Sequence, residues 1–170
     1  MKFTKASRAV LADVTLVRAI LEDEVNTAQW RLHWILSVVL LRAVGHVLDK
    51  VDGRSNAEVR KTANEMFKQW KTDDKHRIFN QFIDLERNSI LKEYETQMSE
   101  GPVPIIVKLL GPGNIIKDEQ FFIDENIYRP VVGGFYSGED GRTLIDEALT
   151  WWTEQLDEID RRVQYSHERR

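Results

Sequence analysis

The segment between residues 27 and 51 constrains the fold most, because its apolar residues recur at helical spacing on more than one side. Large apolar side chains cover more than half of the circumference of a helix with this sequence: Trp30, Trp34, Ile35, Val38, Leu41, Val44, Val47 and Leu48. A surface helix needs one apolar stripe, whereas a helix that is apolar over most of its surface is buried among neighbours. The segment therefore predicts a central helix that other helices surround.

The rest of the first 98 residues predicts three more helices with the same period. One of them precedes the central helix and reaches Val25. A turn is predicted at Asp52-Gly53, and the capping-box sequence 55–58 (Ser-Asn-Ala-Glu) predicts the start of a third helix through Trp70. An aspartate at 73 or 74 can cap a fourth. Short connections on both sides of the third helix predict that the second and fourth helices run parallel.

Residues 99 to 140 differ in character, since glycines and prolines exclude any long helix there. The segments Ile105–Leu110 and Gln120–Ile123 predict two short strands of a small β-hairpin. An irregular cover over one end of the bundle is the alternative. A last helix is predicted to begin after Asp140-Gly141, with an apolar stripe that reaches Val163.

These segments together predict an all-α fold, a bundle of about five helices with a small irregular or β-hairpin insert. A chain of 170 residues is long enough for a single domain with a real core. We therefore expect one domain over residues 1–170, with a four-helix core at 1–98, an insert at 99–140 and a C-terminal helix at 141–166.

Composition excludes several classes of function. The net charge of −4 argues against a general nucleic-acid coat protein, although it leaves room for a local basic site. The absence of cysteine excludes disulfides, thiolate metal sites and cysteine nucleophiles. The histidines lack the spacing of a metal site, so neither a metal nor a cofactor is predicted.

The sequence also bears on location. The basic N-terminus is followed by Asp13 and Arg18, which interrupt any signal-peptide pattern. The most apolar run, Ile35–Leu41, is far too short to span a bilayer. We therefore expect no membrane association and a cytoplasmic location.

The octapeptide at 87–94, Arg-Asn-Ser-Ile-Leu-Lys-Glu-Tyr, is the most informative functional feature. Arg87 and Tyr94 are two helical turns apart and share a face, and Asn88 and Lys92 share the adjacent one. Glu86 falls on the apolar stripe of the same helix. A carboxylate there needs a partner, because an isolated buried charge is costly.

The second helix carries a matching polar stripe, in which Arg42, His46 and Asp49 lie at i, i+4 and i+7. If the second and fourth helices are parallel, His46 and Lys92 lie at a similar level of the bundle. The register then predicts one cluster with these members: Arg42, His46, Glu86, Arg87, Asn88, Lys92 and Tyr94.

The pattern resembles the HEPN superfamily, the helical domains of prokaryotic toxin–antitoxin, defence and CRISPR ribonucleases. The toxin branch has Arg-Asn-x-x-x-His-x-Tyr late in a bundle helix. Arg87, Asn88 and Tyr94 match that motif, and Lys92 stands at the histidine position. The resemblance covers the helical parts of the chain and leaves the 99–140 insert outside.

The resemblance implies a bundle that dimerises, with the two motif helices meeting across the interface. It also implies metal-independent RNA cleavage through attack of the 2′-hydroxyl. Arg87, Asn88, Lys92 and Tyr94 then form the candidate catalytic set, with His46 added from the second helix. Arg42 and Glu86 are the candidate binding residues.

The lysine limits this chemistry. A histidine near neutral pKa can give and take a proton, whereas a lysine stays protonated unless it is desolvated or crowded by cations. Lys92 is therefore suited to holding a phosphate, and His46 would have to supply the proton transfer. The alternative is a structural one, since polar side chains on inward faces often form a hydrogen-bond network that fixes helix register.

The sequence thus predicts a catalytically weak or silent HEPN-like domain that acts as a dimerising or regulatory protein-interaction module. The alternative is an endoribonuclease with a degenerate motif, which processes RNA or a nucleotide in a toxin–antitoxin or defence system. The expected partners are a second copy of the chain and a cognate protein, and in the alternative RNA or a nucleotide.

Overall fold

Five helices and one two-stranded hairpin form the part of the chain that the computed structural model describes, residues 2–110 and 116–169. The helices are α1 Lys5–Asp23, α2 Thr27–Val47, α3 Ala57–Thr72, α4 Asp84–Glu93 and α5 Gly141–Glu168. The strands are β1 Val103–Leu110 and β2 Ile116–Ile123. The predicted all-α bundle with a small hairpin insert is confirmed at this level.

The predicted turn at Asp52-Gly53 is wrong, because α2 continues through a π-helical segment Leu48–Asp52 into a helical turn Gly53–Ser55. Asp52 is buried, and its carboxylate accepts hydrogen bonds from the backbone N–H groups of Ala6 (3.0 Å) and Ser7 (2.9 Å). A Cβ at residue 53 would lie 3.0 Å from the Cβ of Arg60. Gly53 therefore permits a close helix approach, and Asp52 anchors the start of α1.

The N-cap of α3 is Asn56, one residue later than the predicted capping box. Its side-chain oxygen accepts a hydrogen bond from the backbone N–H of Glu58 at 3.0 Å. At the other end of α3, Asp73 caps a short 3₁₀ turn by accepting from the N–H of Lys75. A π-helical segment, Ile78–Ile83, then leads directly into α4.

Helices α2 and α4 run antiparallel, so the predicted parallel arrangement is wrong. Arg42, late in α2, pairs with Asp84 at the start of α4, with 2.9 Å between Nε and Oδ1. Arg31, early in α2, donates to the carbonyl oxygen of Tyr94 at the end of α4, also at 2.9 Å. The chain after α3 thus leads into a helix that travels back toward the N-terminal end of α2.

The core is rich in aromatic rings. Trp152 on α5 packs edge-on against Trp70 of α3, with ring centroids 5.4 Å apart, and Phe79 lies 5.3 Å from Trp151. Edge-to-face pairs are favourable because the positive edge of one ring meets the negative face of the other. These contacts hold α5 against α3 and the π-helical segment.

The insert combines both predicted alternatives. The strands pair antiparallel from Val103↔Ile123 to Leu110↔Ile116, so the hairpin is longer than predicted. The irregular segment after it covers one end of the bundle, where Arg129 and Val131 are buried.

Helix α2 with its extension, Thr27–Ser55, is long and apolar enough to cross a membrane by length and composition, with a mean hydropathy of 1.4 over 18 residues. The central helix of a bundle meets the same criterion. Trp30, Trp34 and Leu41 pack in the core of the bundle, so we interpret this segment as the core helix. Only 33% of that window is buried, which leaves part of its apolar surface uncovered.

Candidate functional site

Three of the predicted site residues line one cavity between α2 and α4. Arg42, His46 and Arg87 border a space of 140 Å³, together with Val39, Ala43 and Leu91. The structure therefore joins the candidate residues of the second helix to the arginine of the 87–94 motif.

Arg42 is held within the fold. Its Nε donates to Asp84 at 2.9 Å, and its guanidinium lies 5.8 Å from the centre of the Phe79 ring. This ion pair joins α2 to α4, so Arg42 positions the motif helix. Asp84 was missed by the sequence reasoning, although its place three residues before Arg87 puts it on the same side of α4.

Arg87 and Asn88 bind each other, with 2.7 Å between Nη1 of the arginine and Oδ1 of the amide. Among the described residues, no carboxylate lies within ion-pair distance of the Arg87 guanidinium. Its charge is thus available to an anion or to a carboxylate of another molecule.

Tyr94 lies away from the cavity. It follows the last residue of α4 with φ +59°, and it ends the helix in the left-handed conformation. The Arg31 guanidinium lies 4.6 Å from the centre of its ring. Arg31 and His46 are fifteen positions apart on α2, roughly 22 Å at the α-helical rise. The predicted joining of Tyr94 with His46 is therefore wrong.

Lys92 is exposed on α4, and it makes no hydrogen bond or ion pair to the described part of the chain. It does not line the cavity that Arg87 and His46 share. The level of the bundle that was predicted for Lys92 depended on parallel helices, and the antiparallel arrangement places it toward the opposite end of α2.

Glu86 has the partners that its place on the apolar stripe required. Only 3% of it is exposed, and its Oε1 accepts from the Trp34 indole N–H (2.9 Å) and the Gln97 backbone N–H (3.0 Å). Burial raises the pKa of Glu86 above its usual value, while the two hydrogen bonds act in the opposite direction. Glu86 thus fastens the chain after α4 to the central helix, and it is not one of the cavity's lining residues.

A second cavity adjoins the same pair of α2 residues. It has a volume of 240 Å³, Arg42 and His46 are at its border, and aromatic rings that include Phe79 and Trp152 line it. A Cβ on Gly45 would meet the Trp152 ring at 3.2 Å, so the glycine lets α5 approach α2 closely. The described residues include no group of three or more side chains suited to a metal ion.

The sequence reasoning did not identify the outer face of α2 as a site. Leu32 and Leu36 are 57% and 43% exposed there, and Leu91 of α4 is 58% exposed. Val39 and Ala43 lie on the same face of α2 and are half-buried. We call these five residues the α2–α4 patch. The signal was present in the sequence, since the apolar residues of α2 exceed what one buried face requires.

Comparison with known proteins adds no relative. No family model, no curated protein and no solved structure matches this chain. The resemblance to the HEPN superfamily therefore depends on the residues of the 87–94 motif alone and stays a prediction.

Proposed function

We propose that this chain is a homodimerising protein-interaction domain, HEPN-like in organisation and weak or silent as a catalyst. The α2–α4 patch is the surface through which two copies meet. The observation that carries the proposal is the apolar patch itself, in which Leu32 and Leu36 of α2 and Leu91 of α4 are about half exposed or more. Contiguous exposed apolar surface of this kind marks protein contacts.

The place of Arg87 favours a second copy as the occupant. Arg87 borders the patch beside Val39 and has no carboxylate partner among the described residues, whereas Glu93 and Glu95 lie where α4 finishes, together with Lys92 and the Arg31 guanidinium. A two-fold axis near Val39 would bring the patch of one copy against the same patch of the other and give each Arg87 a second chain to pair with. Such self-complementarity is what an isologous interface requires.

The positions of the motif residues support the proposal that catalysis is weak or absent. Proton transfer requires groups within hydrogen-bond reach of the reacting atoms. Within one chain, His46 and Arg87 share a cavity, whereas Tyr94 is held by Arg31 at the other end of α2. Lys92 faces solvent, so one copy does not assemble the predicted catalytic set.

The alternative function, RNA or nucleotide processing, has one observation in its favour. Arg87 has no carboxylate partner among the described residues, and it lies at the edge of the proposed interface beside His46. Two copies related by the two-fold axis would supply two such pairs. A toxin–antitoxin or defence setting, a cognate protein partner and a cytoplasmic location stay predictions.

Sedimentation equilibrium of the purified chain tests the dimer. Leu36→Glu introduces a charge at the middle of the patch, and we expect it to convert a dimer to a monomer. Leu16→Glu is the matched control, because Leu16 is a 66% exposed leucine on α1, outside the patch. Circular dichroism of both variants should equal that of the wild type, since neither leucine is buried.

A wild-type monomer over the accessible concentration range, or equal effects of the two substitutions, would refute the proposed interface. Catalysis is tested separately with labelled single-stranded RNA in the presence of a chelator. We expect no cleavage by the wild type. Cleavage that Arg87→Ala abolishes would overturn the silent interpretation and establish the alternative.

A further inference from the structure

A third cavity lies away from the α2–α4 patch, between the first turn of α2 and the segment that follows α4. Its volume is 280 Å³, and its lining includes Ala28, Trp30, Trp34, Met98 and Arg129. The walls are mostly apolar, and the one fully buried cation of the described residues is among them. This combination is typical of ligand sites, in which a few polar groups orient an apolar body.

Arg129 is buried, and Glu125 is the one carboxylate of the described residues within ion-pair distance of its guanidinium. Its side chain is 2% exposed, and its guanidinium lies 4.7 Å from the centre of the Trp30 ring. Its Nε has no hydrogen-bond partner, and Nη2 reaches Glu125 only at 3.4 Å. Burial lowers the pKa of Arg129 from its usual value. A buried charge of this kind is costly unless an anion pairs with it.

The neighbouring carboxylates are shared with other groups. The oxygen of Glu125 that faces Arg129 also accepts a hydrogen bond from the Thr27 hydroxyl, and Glu100 of the cavity lining lies 3.9 Å from Nε of Arg31. Asp140 accepts a hydrogen bond from the Arg142 guanidinium at 2.9 Å. Its hydrogen bond with Arg129 comes from the backbone N–H of that residue and not from the guanidinium. The guanidinium of Arg129 therefore has donors left for an incoming acceptor.

The first turn of α2 adds to the same site. Thr27 and Ala28 line the cavity, and they are the first two residues of the helix. Backbone N–H groups at these positions have no acceptor within a helix, and the helix dipole favours negative charge beside them. The side chain of Asn26 caps only the N–H of Gln29.

The size and the walls of the cavity limit what can bind. At ~30 Å³ for each water molecule in the liquid, the space corresponds to about nine waters. The indoles of Trp30 and Trp34 are stacked with centroids 5.7 Å apart, and both line the space, so part of its wall is aromatic. A compact planar apolar group fits such a wall better than a highly charged phosphate ester does.

We propose that this cavity binds a small aromatic monocarboxylate. The carboxylate pairs with the planar fork of Arg129 at the first turn of α2, and the ring lies against the tryptophan wall and Met98. An arginine recognises a carboxylate by two parallel hydrogen bonds, which suits a monoanion with a planar head.

Isothermal titration calorimetry of the full chain with benzoate and with benzamide tests the site. The two probes have nearly the same shape and differ in charge, so the comparison needs no variant. We expect saturable benzoate binding and roughly tenfold or more weaker binding of benzamide, since the neutral amide loses the charge-assisted hydrogen bonds.

Two variants at the mouth of the cavity locate the binding. Ala28→Trp places a large side chain at the entrance and should weaken benzoate binding by roughly tenfold or more. Gln29→Trp is the matched control, since it is the next residue of α2, exposed and outside the lining. Both positions are exposed, so folding should be retained. Arg129→Met should abolish the preference for benzoate over benzamide, provided that circular dichroism shows a folded variant.

The proposal is overturned if benzoate does not saturate, if benzamide binds equally well, or if the two tryptophan variants behave alike. Binding of inorganic phosphate without benzoate would also refute it, because the apolar wall would then have no part in recognition. None of these outcomes depends on dimerisation or on RNA.

Discussion

Removing the Glu86 carboxylate should reveal what holds the motif helix to the central helix. The carboxylate accepts from the indole of Trp34, which is fully buried, and from the backbone of Gln97, which is half-buried. Glu86→Ala leaves both donors without an acceptor. An unsatisfied buried group costs ~1–3 kcal/mol. Water can reach Gln97 more easily than Trp34, so we expect a loss of roughly 3 kcal/mol in the free energy of unfolding.

Glu86→Gln separates the hydrogen bonds from the charge. The amide oxygen can still accept from both donors, and the desolvated charge is gone. We therefore expect the glutamine variant to lie within about 1 kcal/mol of the wild type at pH 7. Because the pKa of Glu86 is raised in the folded state, that state binds a proton more readily than the unfolded chain. The wild type should thus gain stability relative to the glutamine variant as the pH falls from 7 toward 4.5, the usual value of the group.

Urea denaturation followed by tryptophan fluorescence measures these differences, with far-ultraviolet circular dichroism as a second probe. Glu65→Gln on α3 is the control, since that glutamate is exposed. Two results would refute the reasoning. One is an alanine variant as stable as the wild type, and the other is a glutamine variant as unstable as the alanine variant at every pH.

Three further substitutions test other parts of the fold. Asp52→Ala should lower the free energy of unfolding in urea by roughly 2–4 kcal/mol, because the carboxylate accepts hydrogen bonds from the backbone of α1 and from the buried Ser7 hydroxyl. The control Asp13→Ala, at an exposed site, should leave the free energy of unfolding nearly unchanged. Tyr94→Gly should be more stable than Tyr94→Ala by about 1 kcal/mol, because glycine adopts the positive φ of +59° without the steric cost of a Cβ. Equal stability of the two variants would exclude backbone strain at this position. A double-mutant cycle with Arg42→Met and Asp84→Asn should give a coupling free energy of about 1 kcal/mol that decreases as salt is added. A coupling independent of salt would contradict a partly exposed ion pair.

Several features of the site followed from local sequence. The position of Glu86 on an apolar stripe indicated that the carboxylate needed a partner, and the structure supplies Trp34 and Gln97. The periods of two and of 3.6 residues predicted the hairpin and the helices, because each element's pattern lies within its own residues. The excess of apolar residues on α2 is visible in the sequence as well, although the pattern by itself predicts burial and not an exposed patch.

Features that depend on turn geometry were not predicted correctly. The capping signals at 55–58 and at 73–74 indicated where helices begin, but they carry no information on the angle at which the next helix leaves. The assumption that each short connection reverses the chain placed Lys92 and Tyr94 beside His46. The contacts of Arg31 with Tyr94 show the opposite direction.

Side-chain periodicity and capping act over a few residues, so they were enough to predict the helices, the hairpin and the place of the 87–94 motif on a late helix. That Arg42, His46 and Arg87 share a cavity, and that Tyr94 lies outside it, depends on how the helices pack. The burial of Arg129, from the irregular segment, beside the first turn of α2 depends on packing as well. Such neighbours are distant in the chain, and packing and the direction of each helix bring them together.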